Sequence, residues 1–332
     1  MKLLTAFKKE FDRSISQYLQ DKRHQVEVLD KHGGEMVQSI QTFLDYGGKR
    51  FRPALFHFAY QSFTEKKKFD SLRFSLIFEL FHTFALIHDD IIDHADVRRG
   101  NPTIHTKYGL HMGVLAGDFA LTLADEIYTQ LVVSASFTQK EITAVNAYFN
   151  AYKQELLIGQ YLDCIHLDDR TKIMQLKTAD YSFVKPVVFA LLLCNQENQM
   201  VQQWKLFLTR LGILFQMKDD YEGVFMDESH TGKSMVSDTA EGKNTYIVAL
   251  FKKSATKQEL AHFRSFFGKE ALSPADFAWY QRILKEKGVE KQVRLEITHE
   301  CLELAHQLDT QLGSSTLLHQ LIHELIIYIS QF

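Results

Sequence analysis

Hydrophobic positions recur at intervals of three and four residues along most of this chain. This period is typical of amphipathic α-helices, and Asp70 is well placed as the N-cap of a helix over residues 70–93. The apolar stripe of that helix consists of Phe74, Ile77, Phe78, Phe81, Phe84 and Ala85. The same period predicts helices over residues 110–134, 138–167, 171–195, 199–226, 274–287, 289–312 and 315–331. No hairpin signal or strand alternation competes, so the pattern predicts an all-α bundle of long helices.

Turn-like segments separate these predicted helices, and none of them resembles a linker between domains. They are residues 45–53 (DYGGKRFRP), 98–103 (RRGNPT) and 227–243 (DESHTGKSMVSDTAEGK). The third segment is polar and contains glycine, as loops that carry function often do. We therefore expect a single domain over residues 1–332.

The composition narrows the class of protein. Hydrophobic residues make up 45% of the chain and charged residues 24%, which suits a soluble protein with a large core. The formal net charge of −3 gives no indication of a nucleic-acid partner. Only 4 prolines and 16 glycines occur, which favours long helices. No run of 18 apolar residues is present, so we expect no membrane span.

The cysteines and the N-terminus indicate a cytoplasmic location. Cys164, Cys194 and Cys301 are scattered without a CxxC pair, which favours reduced thiols over a disulfide framework or a zinc site. The first residues, MKLLTAFKKEFDR, contain no long apolar region and turn charged by residue 8, so we do not expect a signal peptide.

The stretch LIHDDIIDHADVRR places carboxylates in line with the apolar stripe of the 70–93 helix. Asp89 and Asp93 are four residues apart and would lie one above the other on one face. Two carboxylates this close repel each other unless a cation lies between them. Mg²⁺ prefers hard oxygen ligands and is commonly shared with substrate phosphates, so a magnesium site is predicted. The alternative is a salt-bridged or helix-terminal acidic patch.

A second helix repeats this arrangement. The apolar line Trp204, Leu208, Leu211 and Phe215 runs into Asp219, and Gln216 lies one turn earlier. Side chains on opposed helices of a bundle can build metal sites, so the two acidic clusters are predicted to face each other across a cavity. A magnesium–diphosphate site also needs cations for the remaining phosphate charge. The candidates are Lys49 and Arg52 beside Gly47 and Gly48, Arg98, Arg99, Lys185, Lys233 and Lys243.

Taken together, these motifs resemble the trans-isoprenyl diphosphate synthases, or polyprenyl synthetases. GGKRFRP, ELFHTFALIHDDIIDHADVRRG, FQMKDD and GKS…SD…EGK occur in the order and approximate spacing of that family, over roughly residues 40–250. The resemblance implies an isoprenoid synthase fold, an all-α bundle of long, mostly antiparallel helices around a deep central cavity. It also implies a homodimer.

The resemblance implies a role for each candidate residue. Lys49, Arg52 and His82, helped by Arg99, resemble the site for isopentenyl diphosphate. Arg98, Lys185, Gln216 and Lys233 resemble contacts to the allylic diphosphate, and Lys243 faces that diphosphate too. Asp89 and Asp93 resemble Mg²⁺ ligands and Asp219 resembles the ligand of a further ion, with two or three ions per site. The predicted catalytic set is Asp89, Asp93, Arg98, Lys185, Asp219 and Lys233.

Two positions depart from the family pattern. The second acidic motif usually reads DDxxD, but this chain has DDYEG, with Gly223 in the last position. Asp227 could substitute only if the helix ends early. The lysine at 185 is usually followed by threonine, but here Pro186 follows it. We therefore expect one hydroxyl contact to be lost and the helix to be kinked.

The predicted reaction is a Mg²⁺-dependent, head-to-tail condensation that begins with ionisation of the allylic diphosphate. The departing diphosphate is the expected base. Ala85 lies one turn below Asp89, and a rise of 1.5 Å per residue puts Phe84 about 7.5 Å and Phe81 about 12 Å below it. Within the family, an aromatic residue five positions and a small residue four positions before the first aspartate resemble the pattern of geranylgeranyl diphosphate synthases. A farnesyl product is the alternative. The phenylalanines could instead simply fill the core.

Other classes of protein remain as alternatives. The His–Asp pair in IHDD also occurs in helical metal-dependent phosphohydrolases. Terpene cyclases share the two acidic clusters, but they do not need the site that Lys49 and Arg52 would form. A non-catalytic, prenyl-diphosphate-binding subunit of a heteromeric synthase is the alternative outside enzymes.

Overall fold

The computed structural model describes residues 1–135, 137–165, 169–226, 237–269, 272–312 and 316–332. Nearly all regular structure in these ranges is helical, which confirms the predicted all-α class. The helices are α1 (Lys2–Glu27), α2 (Gly33–Asp45), α3 (Phe51–Phe63), α4 (Ser71–Ile92), α5 (Ile104–Tyr108), α6 (Leu110–Ser134), α7 (Gln139–Cys164), α8 (Arg170–Met174), a π-helix (Gln175–Val184), α9 (Lys185–Leu193), α10 (Asn198–Phe225), α11 (Ser237–Ala240), α12 (Tyr246–Ser254), α13 (Lys257–Phe266), α14 (Pro274–Glu286), α15 (Val289–Gln311) and α16 (Leu317–Ser330).

The predicted helix boundaries agree with the structure to within three residues. The helix predicted over 171–195 is continuous from α8 through the π-helix to α9. The sequence did not predict the short antiparallel pair β1 (Val97–Arg98) and β2 (Asn101–Pro102). Two-residue strands are too short to show an alternating pattern, and the turn between them depends on backbone with positive φ at Arg99 and Gly100.

The helices form two compact units, each assembled from separate stretches of the chain. The first unit comprises Met1–Tyr148, Pro186–Val201 and Ser315–Glu324, and the second comprises Phe149–Lys185, Gln202–Ser314 and Leu325–Phe332. The single domain over residues 1–332 stays a prediction. In the part of the chain that the structure describes, no helix combines the length and apolarity needed to cross a bilayer.

Aromatic residues fill the core of each unit. In the first unit, the Phe56 ring lies 4.9 Å from that of Phe78 and 5.8 Å from that of Phe189, measured between centroids. In the second unit, the Tyr280 ring lies 5.5 Å from that of Phe251 and 5.0 Å from that of Phe263. Aromatic pairs at these distances stabilise a core by about 0.5–1.5 kcal/mol each beyond the burial of their area.

Helix α4 is the central element of the first unit. Its N-cap is Asp70, as predicted, whose carboxylate accepts hydrogen bonds from the N–H groups of Leu72 and Arg73 at 2.9 and 3.3 Å. Most of its side chains are buried, and it packs along α6. The helix therefore holds its C-terminal end, where Asp89 lies, in a fixed position within this unit.

Candidate active site

The first acidic cluster lies at the C-terminal end of α4. Asp93 is the residue just after the helix, and its N–H donates to the carbonyl oxygen of Asp89 at 2.8 Å. The predicted spacing of one helical turn between the two carboxylates is therefore retained. The Asp89 side chain is 17% exposed, and Asp93 is half-buried. Both carboxylates are thus only partly covered by protein.

Asp90, which the sequence analysis did not select, is the most buried carboxylate of this cluster. Its side chain is 1% exposed and accepts a hydrogen bond from Arg98 Nε at 2.5 Å, while Arg98 Nη2 lies 3.5 Å from Asp89. Burial raises the pKa of the Asp90 carboxyl to about 6, and the charge of Arg98 opposes this. The structure therefore places Arg98 beside Asp89 through an ion pair with Asp90.

The donor set of this cluster suits Mg²⁺. Asp89 and Asp93 provide carboxylate oxygens one turn apart, which are the hard ligands that this ion prefers. The second oxygen of Asp90 is buried and has no hydrogen-bond partner in the protein. An unpaired buried carboxylate oxygen is costly and is commonly explained by an ion or water. The residues present therefore fit a divalent cation.

Four arginines surround His82 in the first unit. Burial lowers the pKa of His82 well below its usual value, and the charges of Arg52 and Arg99, then Arg98 and Arg50, lower it further. Burial, together with the neighbouring arginines, also lowers the pKa of Arg99 to about 10. The structure thus places Arg52, Arg98 and Arg99 close enough to His82 for their charges to act on it, and the substrate contacts assigned to these residues stay predictions. This concentration of positive charge is suited to a polyanion.

A buried network positions these cations, and it centres on Arg50. Arg50 donates from Nε to Asp12 at 2.9 Å, from Nη1 to Glu79 at 2.5 Å and from Nη2 to the carbonyl of Leu44 at 2.8 Å. Its backbone is left-handed (φ 56°), which costs a non-glycine residue about 1–2 kcal/mol. The network offsets that cost and anchors the turn that carries Lys49, which is itself exposed.

Gly48 makes room for two guanidinium groups. A Cβ on Gly48 would lie 2.9 Å from Arg50 Nη1 and 3.3 Å from both terminal nitrogens of Arg99, and Gly48 has φ +146°. A Cβ on Gly47 would meet no atom within 4 Å, but its φ of +96° favours glycine, and its carbonyl oxygen accepts from Arg99 Nη1. The approach of substrate phosphate to these two glycines stays a prediction.

The second acidic cluster lies on α10 in the second unit. Asp220 is buried and accepts from Gln216 Nε2 at 2.8 Å and from the N–H of Tyr246 at 2.7 Å. It therefore ties α10 to the start of α12. Asp219 points elsewhere on the helix and is only half-buried. Asp220 is therefore engaged within the protein, and the assignment of Asp219 as a metal ligand stays a prediction.

A hydroxyl outside the predicted set contacts Gln216. The hydroxyl of Thr178, in the π-helix, donates to Gln216 Oε1 at 2.5 Å, and Lys177 beside it pairs with Asp163 at 2.7 Å. The sequence analysis did not select Lys177 or Thr178, although they form a lysine–threonine dipeptide one helical segment before Lys185. The expected loss of a hydroxyl contact at Pro186 stays a prediction.

Lys185 forms an ion pair within the second unit, and its contact with the allylic diphosphate stays a prediction. It is buried, with 8% of its side chain exposed, and pairs with Glu155 at 2.7 Å. We expected Pro186 to kink its helix, and the structure shows a π-helix that ends just before it. The N–H of Lys185 still donates to the carbonyl of Asp180, five residues back. Pro186 has no N–H to continue that ladder.

Gly223 lies close to a carboxylate from another segment. A Cβ at this position would be 3.2 Å from Asp238 Oδ2. Asp238 Oδ1 lies 3.8 Å from Lys243 Nζ, which also pairs with Glu241 at 2.5 Å. Asp238 therefore occupies space that a side chain at 223 would need. Lys233 and Asp227 lie outside the described residues.

The predicted chain-length residues lie in the core of the first unit. Phe81 and Phe84 are buried, with ring centroids 5.6 Å apart, and Ala85 is half-buried. Burial is also what residues that merely fill the core would show. Their role in product length stays a prediction.

Comparisons with known proteins identify the family. Residues 34–284 match the family model described as polyprenyl synthetase. The chain is 33% identical to the geranylgeranyl diphosphate synthase of Sulfolobus acidocaldarius over 257 residues, covering 69% of this chain and 76% of that one. It is 29% identical to the farnesyl diphosphate synthase of Bacillus subtilis over 271 residues, covering 79% and 89%.

A solved structure is similar over almost the whole chain. It is the geranylgeranyl pyrophosphate synthase of Corynebacterium glutamicum in complex with isoprenyl diphosphate and magnesium, with a TM-score of 0.87, 25% identity and 98% of both chains covered. The family-model match spans well over half of this chain. The protein therefore belongs to the polyprenyl synthetase family.

Proposed function

We propose that this protein is a Mg²⁺-dependent trans-prenyltransferase. It condenses isopentenyl diphosphate head to tail with an allylic diphosphate to give a short-chain trans-prenyl diphosphate. Family membership supports the reaction class, and the relatives named as geranylgeranyl and farnesyl diphosphate synthases support a short-chain product. The observation that carries the proposal is the group of arginines around the buried His82, of which Arg98 also lies beside Asp89.

The arginine group is the proposed site for isopentenyl diphosphate. Arg52 and Arg99, with Lys49 on the exposed turn, supply cationic donors that match diphosphate oxygens. His82 is kept neutral by burial and by these cations, so it contributes a single N–H donor. Burial and, after it, the charges of neighbouring arginines lower the pKa of Arg99, and a bound anion would oppose the repulsion from those arginines.

Asp89, Asp93 and Asp219 are the proposed magnesium ligands. Two or three ions per site are part of this proposal. The protein supplies few ligands to each ion, and diphosphate oxygens complete the coordination. When bound, Mg²⁺ stabilises negative charge on the departing diphosphate. Arg98, held beside Asp89 by Asp90, adds a fixed cation at the same end of α4.

The second unit supplies the other proposed contacts to the allylic diphosphate. Thr178 and Gln216 form a hydrogen-bonded pair, and Lys177 is adjacent to it. Lys185, Lys233 and Lys243 are the further proposed cations. We assign removal of the proton to the departing diphosphate, which is an anion already held next to the reacting carbon. Apolar walls exclude water, which would otherwise quench the allylic carbocation.

The proposed product is geranylgeranyl diphosphate, and farnesyl diphosphate is the alternative. Phe84 five residues before Asp89, with the small Ala85 at four, supports a cavity that closes one to three turns below the metal ligands. A homodimer is part of the proposal as well.

The test is incubation of the purified protein with isopentenyl diphosphate and each allylic primer, with and without Mg²⁺, followed by sizing of the products. We expect elongation that requires Mg²⁺ and that Asp89→Asn abolishes. The matched control is Asp21→Asn, which removes an exposed carboxylate from α1. Release of phosphate without elongation would indicate a phosphohydrolase, and a prenyl hydrocarbon would indicate a cyclase. Complete inactivity of the chain on its own would favour a non-catalytic subunit.

A further inference from the structure

A glycine in the middle of α6 lies against a histidine near the end of α4. A Cβ on Gly117 would be far inside van der Waals contact with Cδ2 and Nε2 of His88, and 3.2 Å from Cε1. The His88 ring can therefore occupy its position only because residue 117 has no side chain. Glycine inside a helix is less stable than alanine, so Gly117 is not at this position for the stability of the helix alone.

Helix α6 also fixes the orientation of the His88 ring. Nε2 of His88 donates to the carbonyl oxygen of Val114 at 3.1 Å, and the same nitrogen lies 3.7 Å from Asp118 Oδ1. The His88 side chain is 26% exposed, so most of the ring is covered by protein and the rest contacts solvent. Two polar groups of α6 and the bare backbone of Gly117 therefore hold one side of the ring.

The other side of the ring contacts Phe84. The two residues are one turn apart on α4, and their rings meet edge to face with centroids 4.9 Å apart at 70°. Phe84 in turn contacts Phe81 at 5.6 Å. A continuous series of contacts thus runs from Gly117 through His88 to Phe84. Phe84 is 5% exposed, so its ring lies within the protein between those of His88 and Phe81.

We infer that Gly117 and His88 are positioning residues for product length, which hold the Phe84 ring across the end of the prenyl cavity. The inference rests on the proposed function and on the proposed role of Phe84. Neither residue is assigned a contact with substrate. His88 supports the phenyl ring directly, and Gly117 provides the space that His88 needs.

The test is the product distribution of Gly117→Ala and of His88→Ala. The alanine methyl displaces the His88 ring, and His88→Ala removes it, so Phe84 loses its edge contact in both variants. We expect longer products, with the ratio of longer to wild-type products rising roughly 2- to 10-fold, the range that one such aromatic contact accounts for. The double variant should match His88→Ala alone, because the same contact is lost.

Gly113→Ala is the matched control. It lies one turn earlier on α6, and its Cβ would crowd Ile91 and His105, at 2.9 and 3.0 Å, without touching His88. Product length should therefore stay as in the wild type, and so should KM for isopentenyl diphosphate in all three single variants. His88→Ala adds no atoms, so it tests the inference even where Gly117→Ala folds poorly.

Phe84→Ala distinguishes a failure of the inference from a failure of the proposed function. Longer products from Phe84→Ala but wild-type products from both Gly117→Ala and His88→Ala would overturn the inference while leaving the proposed function intact. Unchanged product length in Phe84→Ala would overturn it too, because the end of the cavity would lie elsewhere. Absence of any condensation by the wild-type protein would overturn the proposed function and the inference together.

Discussion

Replacement of Glu79 by glutamine tests whether the Arg50 network organises the proposed isopentenyl diphosphate site. The Arg50 and Glu79 side chains are 3% and 5% exposed, and their closest atoms are 2.5 Å apart. Loss of one partner of a buried ion pair typically costs 3–5 kcal/mol. Arg50 keeps its bonds to Asp12 and to the Leu44 carbonyl. We therefore expect Glu79→Gln to lower the free energy of unfolding by about 3 kcal/mol, the lower end of that range.

Asp12→Asn is the matched comparison. Its carboxylate bonds to the same guanidinium at 2.9 Å, but the Asp12 side chain is 35% exposed. Solvent screens a pair of this kind, so we expect a loss of no more than about 1 kcal/mol. Urea denaturation at pH 7, monitored by far-UV circular dichroism, measures both values. A double replacement, Arg50→Met with Glu79→Leu, should lose less than Glu79→Gln because no uncompensated charge remains.

The same variants should affect the KM values of the two substrates differently. Glu79→Gln loosens the left-handed turn at Arg50 and the cations beside it, so KM for isopentenyl diphosphate should rise while KM for the allylic primer changes little. Equal and small losses of stability in Glu79→Gln and Asp12→Asn, with unchanged KM values, would refute the idea that this network holds the site together.

Three further outcomes are expected. Glu141→Gln should lower stability by about 1 kcal/mol at pH 7, because the Glu141 carboxylate caps α7 by accepting from the N–H of Thr138. That bond lowers the pKa of Glu141 to about 2, so the stability that this carboxylate adds is present above about pH 4.5 and is lost as the pH falls toward 2. An equal loss of stability in the variant at pH 7 and at pH 2, measured by denaturation, would contradict this. Thr178→Val should raise KM for the allylic diphosphate and Thr178→Ser should not, since only valine removes the hydroxyl bonded to Gln216; identical kinetics for the two variants would argue against this role. Chelation of Mg²⁺ should stop turnover, and Asp89→Glu should raise the Mg²⁺ concentration needed for half-maximal rate, whereas an unchanged Mg²⁺ titration would remove Asp89 from the metal site.

Much of α4 and of the first acidic cluster could be predicted because the determinants are local. The three- and four-residue period and the Asp70 cap depend only on residues within one or two turns, and so does the spacing of Asp89 and Asp93. The family resemblance added the roles of these residues, and the match over residues 34–284 confirmed the family. That the two acidic clusters face each other stays a prediction.

Other parts of the site could not be predicted because their determinants are far apart in the sequence. Arginine is usually a surface residue, but Arg50 is buried because its guanidinium pairs with two carboxylates. These are Asp12, 38 residues away, and Glu79, 29 residues away. The sequence analysis selected Lys185 for its apolar context and did not select Thr178. The hydroxyl of Thr178, in the π-helix, bonds to Gln216, 38 residues further along the chain. The helical period does not reveal a change from α to π hydrogen bonding, so the sequence left the register of that segment undetermined.

Local sequence was enough to predict α4, α6, α10 and the Asp70 cap, and to select the acidic residues near the ends of α4 and α10, because hydrophobic period and hydrogen-bonding side chains act over a few residues. How deeply each of these charges is buried depends on the folded chain. Asp89 and Asp90 are adjacent and identical in type, yet one is partly exposed and the other is buried against Arg98. The cost of burying a charge depends on the groups that surround it in space, and distant segments of the chain supply those groups only once it has folded.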